Sequence, residues 1–185
     1  MHHFTPTSLS DGFVTVRPWH DDDAEALVSR INDPEVARYL DLVPHPYRLE
    51  DAREFFALSS DGWRTGTSTN FAVLVDGIDG PTGGIGVRWD DLSTGLAEIG
   101  YWVAAEARGR GVATAAVRLL GRWAFELEPT LHRLELRAAV ENPASSRVAE
   151  KAGFTREGIL RSQRFSARVG RRVDFVMWSL LREEL

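Results

Sequence analysis

The sequence predicts one mixed α/β domain, a mostly antiparallel central sheet of six to seven strands flanked by helices. Three observations predict it. A chain of 185 residues with no internal repeat, low-complexity tract or long linker suits one core better than two. Three closely spaced apolar runs in the middle read as an antiparallel meander. After Val103 the apolar spacing becomes helical, and from there helices and strands alternate.

The elements run as follows. Phe13 to Arg17 is the first strand, ended by Pro18. His20-Asp21-Asp22-Asp23 leads into a helix through about Ile31, and the acidic triplet suits a helix N-terminus, where carboxylates complement free N–H groups. A metal site is the sharper and less favoured reading of those aspartates. Asn32-Asp33-Pro34 breaks that helix, with a short piece over Val36 to Leu40 and another helix over Leu49 to Ser59. The meander is Phe71 to Val75, Gly83 to Trp89 and Ala97 to Val103, with Asp90 to Gly95 as a turn. Val112, Ala116, Leu119, Leu120 and Trp123 then mark a helix with one buried stripe. Strict alternation returns in Arg133 to Arg137. Pro143 to Ala152 reads as a helix stopped by Gly153, and Thr155 to Leu160 with Arg172 to Leu180 as a last strand pair.

Composition limits the chemistry. Hydrophobic residues at 43% and charged residues at 26% are ordinary for a globular chain. No apolar stretch is long enough to span a membrane, and the N-terminus lacks a basic region followed by an apolar one, so the expected location is the cytoplasm. With no cysteine, disulfides, thiolate metal sites and acyl-cysteine intermediates are excluded. A net charge of −5 argues against nucleic acid as the main partner. Lys151 is the only lysine, so phosphate binding falls to arginines and backbone amides.

The strongest local feature is the strand-to-helix switch Arg108-Gly109-Arg110-Gly111-Val112-Ala113-Thr114. Glycines let backbone approach a ligand closely, and a helix N-terminus presents unpaired N–H groups with a partial positive charge. Together they suit phosphate, and Arg108 and Arg110 add cationic donors. A Gly-rich turn is also a common plain connection. Neither a P-loop nor a dinucleotide fingerprint fits, since no GxxxxGK[ST] occurs and Thr114 stands where the third glycine of GxGxxG belongs.

Several motifs in order resemble one family. Arg108-x-x-Gly111-x-Ala113 matches the (Q/R)-x-x-G-x-(G/A) motif of the GCN5-related N-acetyltransferase (GNAT) superfamily. Ala97 to Val103 resembles the strand before that motif. Asn142 to Phe154 is similar to the N-x-x-S-x-x-x-A-E-K-x-G-F segment of the RimJ/RimL-like branch, and Gly170 to Leu180 also resembles that branch. The likeness covers nearly the whole chain from about Phe13, so residues 13–185 are expected to form the acetyltransferase domain and residues 1–12 an N-terminal extension.

The resemblance implies acetyl-CoA as acyl donor, no metal, and a strand pair that splays where the donor binds. The loop from Arg108 through Ala113, with Thr114, would hold the pyrophosphate. Tyr101, Trp102 and Val103 would pair with the pantetheine arm, and Asn142 would lie near it, with Arg147 as a further contact. Asn142 before Pro143 is also a good helix N-cap. Direct attack of an amine on the thioester needs a lost ammonium proton, a polarised carbonyl and a stabilised thiolate. Glu98 is a candidate base, although a salt-bridged strand position describes it as well. Many members carry a tyrosine that protonates the thiolate; here Ala149 fills its slot, and Ser145 is the nearest hydroxyl that can hydrogen-bond the thiolate.

The acceptor is expected to be a protein N-terminal α-amine or a small-molecule amine such as a polyamine, amino acid or antibiotic. A non-catalytic acyl-CoA sensor is the third reading, and a homodimer is a compatible assembly. Tyr39, Tyr47, Trp63, Trp89 and Trp102 are candidates to wall the acceptor cleft, with Asp41 as a partner for its ammonium, yet each aromatic also fits an ordinary core. The basic stretch from Arg161 to Arg172 is a solvated hairpin, a contact for CoA phosphates or a surface for an acidic partner.

Overall fold

The structure, a computed structural model, describes residues 3–185; Met1 and His2, the start of the segment read for a leader pattern, lie outside it. β1 (Leu9–Ser10) and β2 (Val14–Pro18) form the first hairpin, whose turn is held by Asp11 accepting from Phe13 N and Val14 N at 2.9 Å each. The acidic triplet forms a 3-10 turn, Asp21–Asp23, ahead of α1 (Ala24–Ile31). Asp23 accepts two bonds from Arg17, at 2.7 and 2.8 Å, and one from His20 N at 2.8 Å. Its carboxylate is therefore an ion-pair and capping group, and no metal-holding cluster occurs among the described residues.

α2 (Pro34–Tyr39) is capped by Asp33, which accepts from Glu35 N and Val36 N, with proline in the first turn. α3 (Leu49–Thr65) runs past its expected end at Ser59. Gly62 lies inside the helix, and a Cβ there would meet Ser68 Oγ at 2.1 Å. That glycine lets the helix approach β3 (Ser68–Val75) closely, and Gly66, at φ +71°, ends the helix instead.

β3, β4 (Gly83–Asp91) and β5 (Leu96–Val103) form the expected antiparallel meander. β4 extends through Asp91, so the turn to β5 is shorter than the sequence suggests. α4 (Val112–Leu127), β6 (Arg133–Ala139), α5 (Pro143–Lys151), β7 (Thr155–Ser166) and β8 (Arg171–Leu181) complete the order. The sheet runs β1-β2-β3-β4-β5-β6-β8-β7. It has eight strands rather than six to seven, because the two-residue β1 adds an edge too short to carry an alternation signal. Phe4, packed against Trp89 at 4.8 Å between ring centroids, also joins the main core.

Among the described residues, only β5 and β6 pair in parallel, and only through Leu96↔Arg133, Ala97↔Leu134 and Glu98↔Glu135. Beyond Glu98 the two strands separate, which is the splay expected from the resemblance. α4 covers this region from one face, burying Val112, Ala116, Leu120 and Trp123 against the sheet. A second core cluster joins α1, α2 and α3 through Leu27, Ile31, Val36 and Phe56. Among the described residues, no helix is long and apolar enough to cross a membrane.

Candidate active site

The gap between β5 and β6 opens into a cavity of about 420 Å³. Tyr101, Trp102 and Val103 wall it from β5, and Arg137, Ala138 and Ala139 from β6. Arg108, Gly109, Gly111, Val112, Ala113 and Thr114 close one end, and Asn142, Ser145 and Arg147 line it from the α5 side. The exposed Arg110 is outside this lining.

The loop geometry follows from two glycines. Gly109 at φ +72° and Gly111 at φ +84° lie in the left-handed region, which favours glycine, and Gly111 is the N-cap of α4. Among the described residues, the N–H groups of residues 109 to 114 find no hydrogen-bond acceptor; the first paired amide is Ala115 N, bonded to Gly111 O at 3.0 Å. The wall thus presents consecutive backbone donors at a positive helix end.

Arg108 works differently from Arg110. Its guanidinium bonds Asp33 at 2.7 Å and Val103 O at 3.2 Å, tying the loop to the α2 cap and to the end of β5. Arg108 in turn is the main reason the Asp33 carboxyl lies below its ordinary range. The expectation of a cation committed to phosphate therefore meets a side chain already engaged in bracing the loop.

Asn142 caps α5, its side chain accepting from Ser145 N at 3.1 Å while it lines the cavity, so capping and site placement coincide. Ser145 Oγ lies 2.9 Å from Tyr101 Oη. Burial pushes the Tyr101 phenol up to about 12, partly offset by its bond to Ser145. Ala149 is fully buried, so the helix face that would carry a tyrosine here belongs to the core. Sequence reasoning placed Tyr101 beside the donor but missed this hydroxyl pair, which joins positions 44 residues apart.

The raised phenols carry a pH prediction. Burial also pushes Tyr47 up to about 12, helped by Asp51 and Glu54. The folded state prefers both phenols neutral. Their contribution is therefore complete below pH 10, the ordinary tyrosine value, and is lost as pH rises from 10 to 12. Urea midpoints are expected to fall over that window by the equivalent of a few kcal/mol, on the order set by about 1.4 kcal/mol per unit. A fall that persists unchanged in the Tyr47→Phe, Tyr101→Phe double variant would contradict this.

On the other side of β5, a second cavity of about 390 Å³ shares Leu40, Tyr101 and Trp102 with the first. Trp102 can lie between them because β4 carries glycines: a Cβ at Gly83 would meet Trp102 O at 2.4 Å, and one at Gly84 would meet Trp102 Nε1 at 2.6 Å. Glu98 lines this second cavity, bonded by Arg88 at 2.7 Å and with Arg137 at 3.5 Å. Arg137 lines the first cavity and reaches Glu135 at 3.0 Å, so it stands between the two spaces.

Of the aromatics expected at an acceptor cleft, Tyr47 and Trp102 line the second cavity, while Tyr39 lines the first. Trp63 and Trp89, at 2% and 5% exposure, belong to the main core. Asp41 lines neither cavity; its carboxylate accepts from Ser166 Oγ at 2.5 Å, which ties the segment after α2 to the β7–β8 hairpin. Arg168 reinforces that tie by donating to Leu40 O and Val43 O. Trp19 and Phe55, which pack edge to face at 5.8 Å, line the second cavity and carried no motif signal. Lys151 lines the first cavity, a place its sequence neighbours gave no reason to expect.

Comparison with known proteins agrees with this geometry. A model of the acetyltransferase (GNAT) domain matches residues 14–155. The N-acetyltransferase p20 of Bacillus licheniformis is 31% identical over 92% of this chain and 94% of its own. YdaF of Bacillus subtilis, provisionally named a ribosomal N-acetyltransferase, is 35% identical over 92% of each. The structure of Mycobacterium smegmatis RimJ in complex with CoA-disulfide superposes with a TM-score of 0.82 at 26% identity, covering 98% of this chain and 88% of that one. The splayed strands, the glycine-bearing helix start and these likenesses together establish that the chain belongs to the GNAT acetyltransferases and is an N-acetyltransferase with RimJ/RimL-like relatives.

Proposed function

We propose that this N-acetyltransferase takes acetyl-CoA in the cavity between β5 and β6 and passes the acetyl group directly to a primary amine entering from the opposite side of β5. The carrying observation is the run of unpaired N–H groups from Gly109 to Thr114 at the start of α4, of which all but that of Arg110 belong to residues lining a cavity that continues along Tyr101 to Val103. Those donors suit a pyrophosphate, and the unpaired edge of β5 beyond Glu98 suits the amides of a pantetheine arm. Acetyl-CoA supplies the activated acyl group; the protein supplies position and charge stabilisation. Arg147 and Lys151, both exposed on α5, are the cations that border the site without a carboxylate partner among the described residues.

Within this reading, Tyr101 stands where the two cavities meet and Ser145 beside it in the first; one hydroxyl of the pair donates to the other, and the remaining proton is donated to the departing sulfur. Glu98 stands on the acceptor side as proton acceptor, directly or through water. Arg88 and Arg137 compete with a substrate ammonium for that carboxylate, which tempers its strength as a base.

The acceptor we favour is a protein N-terminal α-amine, on the strength of the relatives named for ribosomal proteins; a ribosomal acceptor would place the enzyme in the cytoplasm. A small-molecule amine is the second reading, favoured by the second cavity, whose size of about 390 Å³ suits a compact ligand. Acetyl-CoA at a hundredfold excess over its Kd is expected to stabilise the fold by about 2.7 kcal/mol and raise Tm by several degrees. No shift at millimolar acetyl-CoA would defeat the proposal.

A further inference from the structure

We infer that the acceptor carries its amine beside a bulky apolar or aromatic group, and that polycationic amines are poor acceptors. This rests on the acetyl-CoA reading above. It goes beyond that reading by naming the chemistry next to the amine.

The wall of the second cavity decides the point. Trp19 and Phe55 meet edge to face at 5.8 Å, and Trp19 also stacks on Phe56 at 5.7 Å, so this side is a braced aromatic surface. Leu27, Ile31 and Val43 continue it with apolar groups. Leu27 and Ile31 belong to a buried cluster, which keeps the wall from yielding to water. A side chain entering from Tyr101 and Trp102 therefore exchanges water for hydrocarbon and ring faces. Such burial scales with apolar area, and aromatic groups carry the largest area per bond immobilised.

The charge inventory points the same way. Among the described residues of this wall, Glu98 is the only carboxylate. Arg88 holds it at 2.7 Å and Arg137 stands at 3.5 Å. One ammonium can approach that group near the junction of the cavities. A second ammonium farther in would find ring faces but no counter-ion, and a cation–π attraction offsets less of the cost of stripping its water than a carboxylate would.

The test uses the full chain with acetyl-CoA, reading free thiol release for α-amines of similar basicity. Phenylalaninamide and leucinamide are compared with glycinamide, and spermidine represents the polycations. The expected kcat/KM for phenylalaninamide exceeds that for glycinamide on the order of 10²-fold, with spermidine at or below glycinamide. In the Phe55→Ala variant the phenylalaninamide-to-glycinamide ratio is expected to shrink about tenfold, mainly through the acceptor KM, while thermal stabilisation by acetyl-CoA persists. Equal turnover of the three classes, a preference for spermidine, or no turnover of the apolar amines despite bound acetyl-CoA would each overturn the inference and leave donor binding intact. Absence of thermal stabilisation by acetyl-CoA would instead overturn the donor reading on which it rests.

Discussion

Replacing Gly111 with valine is expected to weaken acetyl-CoA binding by on the order of 10²-fold or more, read as a near-complete loss of ligand-induced thermal stabilisation. The argument begins with the backbone. Gly111 sits at φ +84° as the N-cap of α4, and space is not the obstacle, since a Cβ there meets nothing within 4 Å. The obstacle is conformation: a β-branched residue at positive φ is a genuine outlier. Valine either pays strain on the order of 1–3 kcal/mol or turns the peptide to negative φ. Turning it re-aims the amides of Gly111 and Val112, two of the unpaired donors in the run from Gly109 to Thr114. A phosphate held by several convergent N–H groups loses more than one bond when the set is misaligned. Gly77 provides the control. It has φ +82°, equally open surroundings and a place in the β3–β4 turn away from the cavity. Gly77→Val is expected to lose comparable stability while its acetyl-CoA shift remains. Equal retention of the shift in both variants would show that the loop does not hold the donor.

Periodicity made most of this molecule legible before any coordinates. In the stripe read from the spacing, Val112, Ala116, Leu120 and Trp123 are buried while Leu119 is only partly covered at its edge, and the meander pairs in the order expected. Element ends were less legible where one residue type serves two purposes. The helix expected to end at Ser59 runs on to Thr65 as α3, with Gly62 permitting its close approach to Ser68. The site divides similarly. The glycines of the loop at Arg108 to Thr114 mark a special turn, but only its resemblance to the family motif, with that of the segment from Asn142, points to a site there. Arg137 gave no such signal. In Arg133 to Arg137 the alternation marks one face as polar, and alternation alone cannot tell a solvent face from the wall of a cavity. Trp19 and Phe55 were silent for the complementary reason: an aromatic that lines a cavity and one that fills a core obey the same periodicity. Tyr101 with Ser145 needed the crossing of β5 and α5 in space, which local sequence does not encode.

That hydroxyl pair carries the second large prediction: Tyr101→Phe and Ser145→Ala are each expected to lower kcat by on the order of 10²-fold. Their acidity decides how they act. The Tyr101 phenol is pushed up to about 12, whereas an ordinary thiol titrates near 8.5. Proton transfer from phenol to a departing thiolate is thus uphill by more than three orders of magnitude, on the order of 5 kcal/mol. In the proposed mechanism the pair therefore acts as a preorganised hydrogen-bond donor to charge developing on sulfur, and the proton that finally resides there originates on the amine. Removing one such donor costs about 10²- to 10³-fold in kcat elsewhere in enzymology. The two oxygens lie 2.9 Å apart and polarise each other, so the double variant is expected to lose much less than the product of the single losses. The KM for acetyl-CoA is expected to stay within a few-fold, because neither hydroxyl belongs to the run of loop amides proposed to hold the phosphates. A phenol raised to about 12 by burial stays protonated in either role, so no phenol ionisation is expected in the kcat–pH profile below pH 11. An unchanged kcat in both single variants would remove the pair from the mechanism, and a basic limb well below pH 11 that appears only when Tyr101 is present would show a phenol acidic enough to reopen proton transfer.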